Sequence, residues 1–267
     1  MRARSIVSLV CACACVLGYR GEAMLDASWD VAGVVAVRID LPSTPIEIVA
    51  CDVAAPVACP ETLAVVGRVL STGGTAKEAR AHAEDLALLF EREDGLASLR
   101  AEIPLAARGL VELEIERIDV PGDRDLDVRT SLGDVSVVGA RGAVSVDVDT
   151  GDVAIEDGDG GVAVRLRHGR IDAATPGDAD LVCEAGDVAL VQTGDARDAY
   201  VRAAAGDVRI ELADDAALDL DLHAGGTIRV TTTTIVSVTD GELVREVGEG
   251  TTRVEVHASG DVTIVRR

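Results

Sequence analysis

Glycine followed by Asp or Arg and then Val or Ile recurs along this chain, and that recurrence restricts the fold more than any other feature. It appears at Gly133-Asp134-Val135, Gly151-Asp152-Val153, Gly169-Arg170-Ile171, Gly186-Asp187-Val188, Gly206-Asp207-Val208 and Gly260-Asp261-Val262. The first five copies are 18, 18, 17 and 20 residues apart, and a looser copy is Gly225-Gly226-Thr227-Ile228. A period of this length marks an array built by stacking one small unit.

The five clean copies share one pattern at offsets −7, −5, −3, +2 and +4 from the glycine. The columns are Leu126, Val128, Thr130, Val135, Val137, then Val144, Val146, Val148, Val153, Ile155. They continue as Val162, Val164, Leu166, Ile171, Ala173, then Ala179, Leu181, Cys183, Val188, Leu190, and finally Ala199, Val201, Ala203, Val208, Ile210. Of these 25 positions only Thr130 is not apolar. Alternation with period two on both sides of a glycine predicts two short strands per copy, each with one buried face. One copy cannot bury enough apolar surface to offset its chain entropy, whereas stacked copies supply ladder hydrogen bonds and cover each other's edges. The expected fold is all-β: a parallel β-solenoid, or β-helix, with about 18 residues per coil.

Outward columns give a second reading. Asp147, Asp149 and Asp152 of one copy stand against Arg165, Arg167 and Arg170 of the next. With neighbouring strands about 4.8 Å apart, three cross-strand ion pairs are expected. The template also fits Val37, Ile39, Leu41, Ile46 and Ile48, with Thr44 at the glycine position. Between residues 50 and 125 it breaks down. There Thr75-Ala76-Lys77-Glu78 is a capping box before a short helix over 76–85. Leu86–Arg92 and Leu96–Ile103 are expected to pair as a hairpin around Asp94-Gly95. The expected organisation is 1–23 as export signal, 24–125 as N-terminal coils with the helix and hairpin inserted, and 126–267 as regular repeats, the last two forming one continuous domain.

Residues 1–18 carry the export reading: Arg2 and Arg4, an apolar run from Ser5 to Leu17, then small residues. The run is short for a membrane span. Val10-Cys11-Ala12-Cys13 and Ala12-Cys13-Ala14-Cys15 resemble a bacterial lipobox in two registers, so Cys13 or Cys15 is the expected lipidation site. Ordinary secretion would use Ala12-x-Ala14 or Gly21-x-Ala23 as the cleavage site, and the remaining alternative is a segment left uncleaved. In an oxidising compartment Cys51 and Cys59 are expected to form a disulfide, the alternative being two free, small apolar residues, and Cys183 is expected to be a buried filler.

The segment Val111–Pro121, the run Leu126-Asp127-Val128-Arg129-Thr130-Ser131-Leu132-Gly133-Asp134-Val135 and the later Gly-Asp-Val copies resemble the bacterial putative-adhesin family of β-strand-repeat domains of unknown function. That family is related to the head domains of putative auto-transporter adhesins. The resemblance covers about residues 34–267 and implies a β-helical fold and an envelope location. It brings no catalytic residues.

Composition removes several classes of function. With 47 Asp+Glu against 25 Lys+Arg, a net charge of −22 argues against nucleic acid and against an anionic membrane face. Tyr19, Trp29, Phe90 and Tyr200 are the only aromatics and Lys77 the only lysine, so stacking platforms and lysine chemistry are not available. Asp157-Gly158-Asp159-Gly160-Gly161, Gly177-Asp178 and Gly194-Asp195 are similar to calcium β-roll turns but match no full nonapeptide. Asp157 and Asp159 are the best metal candidates, against a turn-forming role for the same residues. The face made by Asp147, Asp149, Asp152, Arg165, Arg167 and Arg170 could serve a β-helical polysaccharide-active enzyme, or simply neutralise itself. His82, His168, His223 and His257 lack metal-ligand spacing. The expectation is a non-enzymatic scaffold or adhesin-like binding module, exported to the bacterial envelope as an outer-membrane lipoprotein, in the periplasm or on the cell surface. It has no cofactor, no nucleic-acid partner, and membrane contact only through an N-terminal lipid anchor. Its partner would be an envelope or cell-surface protein or a polysaccharide. The alternatives are a calcium-binding β-roll-like protein, the polysaccharide enzyme, and an accessory of envelope-stress sensing.

Overall fold

Alternation of inward aliphatic and outward polar residues produces strands throughout the chain. The computed structural model describes residues 10–11, 19–51, 60–193, 198–212, 218–231, 236–247 and 252–266, with residues 10–11, 106, 218–258 and 266 described by backbone alone. The fold is all-β with long parallel ladders and one α-helix among the described residues. The chain divides into two compact units, Met1–Val135 and Ser136–Arg267.

In the first unit the strands are β1 (Val10–Cys11), β2 (Arg20–Asp30), β3 (Ala36–Asp40), β4 (Ile46–Cys51) and β5 (Thr62–Thr72). Helix α1 (Ala76–Glu84) precedes β6 (Ala87–Glu93), β7 (Leu96–Glu102), β8 (Val111–Pro121) and β9 (Asp125–Leu132). The helix starts where the capping box places it: Thr75 is extended and its side chain accepts from the Glu78 N–H at 3.2 Å. The hairpin also forms, β6 against β7, with Asp94 and Gly95 at φ 50° and 81°, as a two-residue turn requires. Strand β3 is flanked in parallel by β7 and β9, and β4 pairs in parallel with β8. Thr44, at the glycine position of this early copy, is buried, and its hydroxyl accepts from Ile115 N–H and donates to Pro45 O.

Strands β2 and β5 were not legible as a pair. Both are 11 residues long, and β5 lies antiparallel between β2 and β8. Gly21, Ala23, Leu25, Ala27 and Trp29 form the buried face of β2. Trp29 stacks on Phe90 with ring centroids 5.2 Å apart.

Strand β10 (Val135–Val138) begins at the last residue of the first unit, and the second unit holds β11 (Val144–Thr150), β12 (Val153–Glu156), β13 (Val162–His168), β14 (Ile171–Thr175), β15 (Ala179–Ala185) and β16 (Val188–Gln192). Then come β17 (Ala199–Ala203), β18 (Val208–Leu212), β19 (Leu218–Thr231), β20 (Val236–Val247), β21 (Thr252–Ala258) and β22 (Val262–Arg266). Two parallel columns arise, β11·β13·β15·β17·β21 and β12·β14·β16·β18·β22. Val146, Val164, Leu181 and Val201 are register partners in succession, each at most 1% exposed. All 25 template positions are buried, Thr130 included, whose hydroxyl donates to Leu132 O at 3.1 Å.

The order of rungs departs from chain order at the C-terminal end. The Gly260 copy stacks directly on the Gly206 copy: β21 lies on β17 and β22 on β18. The earlier Gly225 copy, within β19, lies beyond it, parallel to both β21 and β22, and β20 runs antiparallel along β19. The chain therefore leaves the column, makes a long hairpin, and returns to fill the rung it skipped.

Candidate functional site

The repeat turn is built from backbone upward. Gly151, Gly169, Gly186 and Gly206 have φ of 147°, 139°, 142° and 149°, a region that residues with a Cβ rarely enter. A Cβ on Gly169, Gly186 or Gly206 would also run into the carbonyl oxygen of the glycine one rung below. The residue after each glycine then closes the stack. Asp152 Oδ1 accepts from Arg170 N–H at 2.9 Å, Asp187 Oδ1 from Asp207 N–H at 2.9 Å, and Asp207 Oδ1 from Asp261 N–H at 2.8 Å. At Arg170 the column carries a guanidinium, which has no acceptor to offer. These aspartates are therefore a hydrogen-bonded ladder along the turns.

Of the three expected ion-pair columns, one forms as read. Arg167 meets Asp149 at 3.1 Å and also Glu184, on the following rung, at 3.8 Å. Arg165, directly opposite Asp147, turns instead to Asp180 on the diagonal at 3.4 Å. Arg170 folds along its own strand onto Asp172 at 2.8 Å, and this hydrogen bond holds its pKa above the usual value. Diagonal and same-face neighbours lie within reach of a long guanidinium side chain, so a direct opposite does not always win.

Asp157 has φ 53° and is exposed, and Asp159 pairs with Arg141 at 3.6 Å while its N–H donates to Ala140 O. A surface depression of about 430 Å³ beside them is lined by Asp159, Gly161, Pro176, Gly177 and Asp178. Among the described residues no three His, Cys, Asp or Glu side chains gather as a metal site. Gly194-Asp195 lies outside the described residues, as do the side chains of His223 and His257. His82 bonds Thr72 O through Nδ1 at 2.8 Å, and His168 is exposed. Cys183 is buried and free, its thiol 3.5 Å from Gly169 O, and burial raises its pKa. Cys51 is disulfide-bonded; Cys59 lies outside the described residues, as do Cys13 and Cys15.

In the first unit a cleft of about 410 Å³ is bordered by Arg20, Glu22, Leu70, Ser71, Leu110 and Glu112. The outer face of β2 continues from it with Glu22, Met24, Asp26, Ser28 and Asp30. The strict alternation of β2 was the signal for this surface, and reading residues 1–23 as export signal split it. Among the described residues no helix is long and apolar enough to cross a membrane.

No curated protein matches the chain. A putative cell adhesion protein from Clostridium sporogenes is 9% identical, with 91% of this chain and 100% of that one covered and a TM-score of 0.36. A putative adhesin from Bacteroides fragilis is also 9% identical, over 91% and 97%, with a TM-score of 0.35. A putative lipid binding protein from Parabacteroides distasonis is 9% identical over 91% and 96%, with a TM-score of 0.29. The model of the Toastrack DUF4097 family matches residues 107–265, more than half of the sequence, and the chain belongs to that family.

Proposed function

We propose that the protein is a non-enzymatic scaffold or binding module of the bacterial envelope. In this reading it is a parallel β-solenoid with about 18 residues per coil whose long strand faces are the working surface. The observation that carries the reading is how the carboxylates of the repeat face are used. Asp149 is held by Arg167, Asp180 by Arg165, Asp172 by Arg170, and Asp152 by a backbone N–H of the next rung. A hydrolytic or lyase site needs a carboxylate aimed at substrate; Asp149, Asp180 and Asp152 are aimed at neighbouring rungs, and Asp172 along its own strand.

A lipid anchor on Cys13 or Cys15 is compatible with where β2 begins, as is secretion with cleavage after Ala14. Cleavage before Cys13 or Cys15 leaves β2 whole, whereas cleavage after Ala23 would remove Gly21 and Ala23 from its buried face. Cys15 is five residues before Arg20, a reach of at most about 17 Å. A lipid on Cys15 would hold the first unit close against the bilayer. A disulfide from Cys51 to Cys59 would belong to the same exported setting.

The test is metabolic labelling with a fatty-acid analogue in the wild type and in Cys13→Ser and Cys15→Ser. Label lost in one variant alone identifies the anchor; label never incorporated removes it. Purified protein is expected to leave acidic polysaccharides intact and to melt at the same temperature with and without calcium. Cleavage that disappears in Asp149→Ala would overturn the non-enzymatic reading, and a large calcium-dependent rise in Tm would favour the β-roll instead.

A further inference from the structure

We infer that the processed protein pairs with a second copy of itself through the free edge of β2, in one antiparallel register. The inference rests on the export reading above, because β1 occupies part of that edge in the full chain. Among the described residues β2 pairs along its whole length with β5 on one side. On the other side it meets only β1, antiparallel, with Val10 opposite Met24 and Cys11 opposite Ala23. The edge thus accepts an antiparallel strand, and cleavage at Cys13 or Cys15 removes the one seated there. An edge of 11 residues without proline, and with no bulge or covering strand besides β1 among the described residues, is a template for pairing.

The sequence of β2 selects the occupant. Register shifts of one residue would put its buried face opposite an exposed one, so only even shifts preserve the two faces. Pairing two copies about Leu25 sets Arg20 opposite Asp30, Glu22 opposite Ser28 and Met24 opposite Asp26. No like charges meet, and the Arg20–Asp30 pair occurs twice by symmetry. A shift one way sets Glu22 opposite Asp26; the other way sets Glu22 opposite Asp30 and Asp26 opposite itself. Both put carboxylates face to face, which disfavours them. On the buried face the central register sets Leu25 on Leu25 and Ala23 on Ala27, so the apolar stripe continues across the junction.

The test is sedimentation of the full chain in two forms, unprocessed and as isolated from the envelope, with intact mass reporting whether residues 10 and 11 are gone. The processed protein is expected to dimerise and the precursor to dimerise more weakly. Arg20→Asp should weaken the dimer about tenfold, and Arg20→Asp with Asp30→Arg should restore it to within about threefold. A processed protein that stays monomeric overturns the proposal, as does a dimer indifferent to Arg20→Asp. A monomer that crosslinks through Met24→Cys to a different envelope protein overturns self-pairing in favour of that partner. Intact residues 10 and 11 would sink the export reading alone. Pairing is then decided in a Val10→Pro chain, where β1 loses a ladder donor, by the same Arg20→Asp comparison.

Discussion

Replacing Gly186 by alanine separates a stacked turn from an ordinary one. The residue sits at φ 142°, and its added Cβ would meet the carbonyl oxygen of Gly169 in the rung below. A non-glycine residue in such a conformation costs on the order of 1–3 kcal/mol. Forcing the two rungs apart adds roughly 1–3 kcal/mol, as overpacking does elsewhere. The expected loss is therefore about 2–6 kcal/mol, or on the order of 10 °C in Tm for a domain of this size. Two other glycines isolate the terms. Gly109 has φ 77° with no atom within 4 Å of an added Cβ, so Gly109→Ala meets only the conformational cost. At Gly161 φ is not positive and the nearest atom, Asp178 O, would lie at 3.4 Å. Gly161→Ala is expected to be neutral or slightly stabilising through the unfolded chain. Urea denaturation of the three variants, with m-values compared, gives the free energies. If Gly186→Ala falls within about 0.5 kcal/mol of Gly161→Ala, the turns do not bear on each other as described and the stacking argument fails.

Asp187→Ala removes the acceptor for Asp207 N–H and should cost about 0.5–1 kcal/mol, whereas Asp187→Asn keeps an Oδ1 and should cost less; urea midpoints read the difference. Burial raises the Cys183 pKa, so above about pH 8.5 the unfolded chain loses this proton while the folded chain keeps it. Stability should therefore fall as pH rises through that window, and Cys183→Ala should flatten the fall in a pH series of denaturation curves.

Inside and outside were legible residue by residue. Every inward position of the five copies is buried, because period-two alternation is a property of one strand against one core. The helix cap at Thr75 and the Asp94-Gly95 hairpin were equally local and formed as read. The ion-pair face was only partly legible. Arg165 and Arg170 have several carboxylates within reach, and the choice among Asp147, Asp180, Asp152 and Asp172 depends on side-chain direction that spacing does not encode. Strand β2 was missed for another reason: the boundary expected after residue 23 falls inside it, so its alternation was read only in part.

The amino-acid order by itself determined which side chains face the core of each rung and where glycine must turn the chain. Only the tertiary structure decided which rung lies on which. Thr44 stacks against Gly133, and Gly260 against Gly206, with long stretches of chain passed over in each case. The reason is that adjacency is settled by backbone ladders and close glycine turns, which nearly any copy of the repeat can offer to any other. The selection among equivalent partners comes from what the intervening chain can reach, and here the β19–β20 hairpin carries it out and back to the open rung.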